Sequence, residues 1–103
     1  EIKAFYYYNL CDQNEHVPGI ERLGDCYIQG IGTSVDERRA FELYLKAANM
    51  NYNVAQYNVA ICFEDGIGTT KNKEKANEWY KKAAANGFDY KRITTLIDKS
   101  TGQ

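Results

Sequence analysis

Gly30-Ile31-Gly32-Thr33 returns unchanged as Gly66-Ile67-Gly68-Thr69, and the same 36-residue offset carries Ala40 onto Ala76, Tyr44 onto Tyr80 and Ala47-Ala48 onto Ala83-Ala84. A fixed period in this range marks a stacked array. Each unit in such an array is a supersecondary piece that can bury its apolar face only against its neighbours. Arrays of this kind present surfaces and seldom enclose reaction chambers. Laying residues 17–52 over 53–88 gives eleven identical positions, which fall on the glycine turn and at spacings of three and four. The repeat is therefore structural and not compositional.

The spacing predicts two helices per unit. Ala55, Val59, Cys62 and Phe63 share one stripe of a helix over about 53–65, which Gly66 stops by accepting the left-handed backbone. Asn72 is a good N-cap for a second helix over about 73–86, with Ala76, Trp79, Tyr80, Ala83 and Ala84 on its buried face and Gly87 closing it. In the preceding unit Asp36 takes the cap role, with Ala40, Leu43, Tyr44, Ala47 and Ala48 facing inward. A short loop forces the two helices antiparallel. Gly24, Ala60 and the Ala-Ala pairs leave space for a neighbour's ring, so Tyr27, Tyr44, Phe63, Trp79 and Tyr80 are expected in the core. Tyr44→Ala is expected to cost about 3 to 5 kcal/mol, as other large-to-small core changes do.

Residues 1–15 fit the register one period earlier and read as the second helix of a preceding unit, so the sequence is expected to be cut from a longer protein. Residues 89–103 read as the first helix of a further unit or as a C-terminal cap, since Thr95 stands where Leu23 and Val59 stood. All belong to one solenoid domain.

Thirteen Lys and Arg against fourteen Asp and Glu leave a net charge of −1, which gives no case for a general polyanion binder. No apolar run approaches the roughly 18 to 20 residues of a membrane span, and Glu1-Ile2-Lys3-Ala4 lacks the form of a signal peptide. A cytoplasmic location is the favoured reading. Cys11, Cys26 and Cys62 form no short metal-ligand pair, and their odd number argues against a complete disulfide framework. Cys26 and Cys62 are repeat equivalents on helices whose axes should lie about 8 to 10 Å apart, whereas a disulfide needs Cα atoms within about 7 Å. Reduced, buried thiols are expected.

These residues match a recognisable pattern. Leu23-Gly24-x-x-Tyr27-x-x-Gly30-x-Gly32 and Asn72-x-x-Lys75-Ala76-x-x-Trp79-Tyr80-x-x-Ala83-Ala84-x-x-Gly87 resemble the Sel-one-like repeats, relatives of the tetratricopeptide repeats with a slightly longer period. The resemblance covers about residues 4–88 and departs where Val59-Ala60 replaces Leu-Gly, Phe63 replaces Tyr, Leu43 takes the Trp position and Asn51 takes that of Gly87. It implies an all-α, right-handed superhelix of antiparallel helix pairs that serves as a scaffold or adaptor for a protein or peptide partner. It also admits a regulatory repeat region attached to a catalytic domain such as a protein kinase.

In the similar tetratricopeptide arrays the first helices line a concave groove. By register this points to Glu21, Asp25 and Ile28 in the first full unit and to Tyr57, Ile61 and Glu64 in the second, with Ile93 and Ile97 extending the line. Carboxylates interleaved with Tyr and Ile suit a peptide with apolar anchors and a few basic residues. The rival expectation is that Tyr57 and Ile61 only pack on the next unit. Self-association through the exposed repeat ends is a further expectation, driven by the aromatic run Tyr6-Tyr7-Tyr8.

No catalytic constellation, cofactor motif or metal site is expected. His16, the sole histidine, reads as a solvated loop residue. Gly30-x-Gly32 and Gly66-x-Gly68 lack the rest of a phosphate-binding fingerprint. Glu64-Asp65 and Asp36-Glu37 are sequence neighbours and do not share a helix face. Lys71, Lys73, Lys75, Lys81 and Lys82 gather on and before one helix, and are read as a solvated outer face and not as a nucleic-acid site.

Overall fold

The computed structural model describes residues 2–89, which form five helices: α1 (Ile2–Gln13), α2 (Val17–Gln29), α3 (Glu37–Asn49), α4 (Asn53–Asp65) and α5 (Lys73–Ala85). Each packs on its neighbours in the chain, α1 on α2 and so on to α5, as stacked helix pairs require. The expected ends of α4 and α5 agree with those found to within one residue. Ile93 and Ile97, and the reading of the last segment from residue 90 onward, lie outside the described residues.

Local chemistry starts and stops these helices. Asp36 and Asn72 sit in extended backbone, and each side chain accepts the N–H three residues on, from Arg39 and Lys75, at 3.0 Å. Gly30 and Gly66 end α2 and α4 at φ 70° and 71°, each donating its N–H back to the cysteine carbonyl four residues earlier. The loop then returns to the helix just finished: the Asp36 N–H donates to the Tyr27 carbonyl and the Asn72 N–H to that of Phe63. Gly68 serves a second purpose. Besides its φ of 71°, a β-carbon there would meet the Glu37 carbonyl, so the glycine is what lets this loop lie against the start of α3. Asn51, at φ 69°, takes the left-handed position that Gly87 fills one unit later, a conformation Asn tolerates better than other side chains.

The core runs as one band through Ile20, Leu23, Ala40, Leu43, Tyr44, Ala47, Ala48, Ala55, Val59, Cys62, Phe63 and Ala76. Gly24 is where large meets small: a β-carbon would sit 2.6 Å from the Tyr44 ring, so the ring lies against bare backbone. Phe41 and Phe63 meet edge to face at 5.4 Å and tie α3 to α4. All three thiols are free and buried.

The expectation for α5 needs correction. Ala76 and Ala83 are buried, but Ala84 is exposed and Trp79 and Tyr80 are only half-buried. The equivalent Ala48 is buried because α4 covers it, and Gln56 of that helix donates to its carbonyl at 3.2 Å. Burial of this face thus depends on the neighbour packed against the helix and not on the helix's own sequence.

Candidate functional site

α2 and α4, the first helices of the two complete units, lie side by side and carry the six residues singled out by register. Their placement divides into two groups. Ile28 and Ile61 come together with Tyr44, Asn58, Cys62 and Ile67 around a depression of about 130 Å³. Asp25 and Glu21 stand one and two turns back along α2 from Ile28. Tyr57 and Glu64 instead engage α5 and the residues after it. The Tyr57 ring stacks on Phe88 at 4.4 Å and lies 5.5 Å from Tyr80, and Glu64 accepts the Tyr80 hydroxyl at 2.5 Å.

Glu21 does not face an open groove. It retains only 5% of its surface and accepts a 2.7 Å hydrogen bond from the Asn58 amide, which bridges the two units. Burial, and next the negative charge of Asp25, push its carboxyl from an ordinary 4.5 up to about 7, against the opposing pull of Asn58 and Arg22. Asp25 is half-buried and takes the Tyr44 hydroxyl at 2.5 Å. Burial and that acceptor hold the Tyr44 proton far above its usual range, so Tyr44 is the donor in this bond. Tyr80 behaves likewise through burial and Glu64. Each unit thus satisfies the tyrosine of its second helix with a carboxylate from the preceding helix, but from registers one turn apart.

Reasoning from register missed Asn58 and the hydroxyl of Tyr44. Asn58 is the repeat equivalent of Arg22 and is one residue from Tyr57, so a strict match of equivalent positions passes over it. The signal available was a short amide in the middle of a helix, between Tyr57 and Val59, where Asn is disfavoured by propensity. Among the described residues no group of three or more His, Cys, Asp or Glu side chains could hold a metal ion, and no helix is long and apolar enough to cross a membrane.

Stacked helix pairs repeated along the chain define an α-solenoid of the kind that presents surfaces to other proteins. The chain belongs to the Sel1 repeat family, which matches residues 18–52 and 53–88. It is 40% identical over 58 residues to a putative sel1-like repeat-containing protein of Acanthamoeba polyphaga mimivirus, a stretch that is 56% of this chain and 11% of that one. Helicobacter pylori cysteine rich protein B has a similar structure, with 27% identity and a TM-score of 0.78 over 82% of this chain and 64% of that one. A protective antigen of uropathogenic Escherichia coli displaying the same repeat fold superposes with a TM-score of 0.84 at 25% identity, over 98% of this chain and 22% of that chain. The sequence therefore spans less than two thirds of each of these relatives. Sel1 repeat proteins are generally non-catalytic protein-interaction scaffolds.

Proposed function

We propose that this solenoid binds a peptide segment or helix of a partner protein along the α2/α4 face, within the set Glu21, Asp25, Ile28, Tyr57, Ile61 and Glu64. The observation that carries the reading is the small apolar depression between Ile28 and Ile61, with the half-buried carboxylate of Asp25 one turn away. A depression of about 130 Å³ receives one aliphatic side chain, and Asp25 keeps lone pairs free beside its bond to Tyr44 for a Lys or Arg of the same segment. Glu21 acts from beneath by holding α2 to α4 through Asn58, and Tyr57 by fixing α5. Both are thus supports of the surface and not its contact points.

Selection from a displayed peptide library against the intact chain tests this. Peptides that bind should carry one aliphatic anchor near a basic residue, and Ile28→Ala with Ile61→Ala should weaken them at least tenfold while the helical signal is kept. Undiminished binding to the double variant would place the partner elsewhere.

Self-association is a second reading, favoured by the exposure of Ile2, Tyr6, Tyr7 and Leu10 on α1. Sedimentation over a hundredfold concentration range tests it, and a constant monomer mass would remove it.

A further inference from the structure

The second helices of the two units, α3 and α5, frame a separate trough that the α2/α4 reading does not use. Its floor is Leu45, Phe63 and Trp79, and it encloses about 600 Å³. Its rim is Lys75, Lys81 and Lys82, with Glu78 the single carboxylate. None of these three ammonium groups is in an ion pair among the described residues. Two of them fold over the aromatic floor instead, Lys75 at 5.5 Å from the Phe63 centroid and Lys82 at 4.5 Å from that of Trp79. A cation resting on a ring in contact with water is held weakly and is drawn off by a carboxylate.

The trough continues past Trp79 and Lys82 into a second depression of about 400 Å³, whose walls include Asn49, Asn51, Gln56 and Asn86. Gln56 retains 4% of its surface, and its amide N–H groups donate to the Ala48 carbonyl and to Asn51 Oδ1. Both neighbours are acceptors, so the amide cannot be turned round, and Gln56 Oε1 is left without a hydrogen-bond partner among the described residues. Gln56 Oε1 is itself closed off from solvent, so it belongs to the packing of α4 against α3 and not to the wall of the trough.

The geometry points to a second docking surface, the α3/α5 trough, for an acidic peptide segment of a partner protein: one apolar side chain on Leu45, Phe63 and Trp79, and carboxylates on Lys75, Lys81 and Lys82. Charge complementarity selects the sign of the occupant, since three cations outside any ion pair surround an apolar floor. A nucleic-acid strand would satisfy the lysines, but the chain as a whole carries a net charge of −1 and gives a polyanion no long-range attraction, and aliphatic Leu45 offers it no stacking partner. A peptide with an apolar anchor between carboxylates meets both features.

Trp79 is the only tryptophan in the chain and lies in this trough, so its fluorescence reports occupancy directly. Synthetic peptides with Glu on either side of one or two Leu or Phe anchors, at several spacings, are titrated into the full chain, with Lys-for-Glu versions and a thymidine oligonucleotide alongside. The acidic peptides should shift Trp79 emission saturably and the Lys versions should not. Raising salt should weaken the response several-fold, and Lys75→Gln with Lys81→Gln and Lys82→Gln should weaken it about tenfold. Ile28→Ala with Ile61→Ala should leave it unchanged, which separates this surface from the α2/α4 face. No saturable response to any acidic peptide, an equal response to the Lys versions, a stronger one to the oligonucleotide, or insensitivity to the lysine substitutions would overturn the assignment.

Discussion

Replacing Glu21 by Gln should make the protein more stable at neutral and alkaline pH, although it removes a native charge. Glu21 is a carboxyl whose pKa is higher in the folded chain than in the unfolded one, about 7 against 4.5. Between those values the folded state keeps a proton that the unfolded chain has released. Stability therefore falls as pH rises through this window and levels off above it, the reverse of a salt-bridged carboxylate. At 1.36 kcal/mol per pH unit the whole window corresponds to at most about 3 kcal/mol. Water reaching the half-buried Asp25 and the exposed Arg22 screens the charge and brings the expected effect to about 1 to 2 kcal/mol. Gln retains an oxygen for the Asn58 amide and carries no charge to desolvate. The two proteins should melt together at about pH 4, below the unfolded value of 4.5, and diverge as pH rises. At pH 8 the variant should melt about 5 to 10 °C higher, given the usual conversion for a domain of this size. Melting followed by circular dichroism at half-unit pH intervals measures the difference, which cancels the groups the two proteins share. A variant less stable than the parent at pH 8, or a difference that does not vary with pH, would refute the reasoning.

Tyr44→Phe should cost about 1 to 2 kcal/mol in denaturant unfolding, because Tyr44 is buried and its loss leaves half-buried Asp25 short of a donor. Tyr80→Phe should cost less than half as much, since exposed Glu64 recovers water. Gly68→Ala should destabilise by at least about 2 kcal/mol, the added carbon meeting the Glu37 carbonyl as well as an unfavourable φ. Gly66→Ala, where only strain and a movable Lys71 side chain oppose the change, should cost about 1 kcal/mol in the same melts. Burial, and then the charges of Glu37 and Asp65, push the Cys62 thiol up to about 12, and Cys11 and Cys26 are buried as well. A thiol reagent at pH 8 should therefore label the native chain slowly and reach all three only after denaturation; rapid native labelling would contradict this.

Much of the fold was legible because repetition makes the signals local and redundant. Gly30 and Gly66 announce the same helix end twice, Asp36 and Asn72 the same helix start, and Ala40 and Ala76 the same contact. Each feature acts within a few residues, where capping and left-handed backbone obey short-range rules. The depression between Ile28 and Ile61 is not repeated in this way, since their equivalents are Glu64 and Asp25.

What the sequence determined by itself was the unit: two helices, their ends, the stripe each would bury, and the stacking that a period of 36 residues requires. What only the tertiary structure decided was which side chains at equivalent positions share a fate. Glu21 is buried and its equivalent Tyr57 stacks on Phe88, while Ala48 is covered and Ala84 is bare. The physical reason is that a repeat encodes its own hydrogen bonds but not its neighbours, and burial, hydrogen-bond partners and the affinity of Glu21 for its proton are set by the side chains that the next helix brings against it.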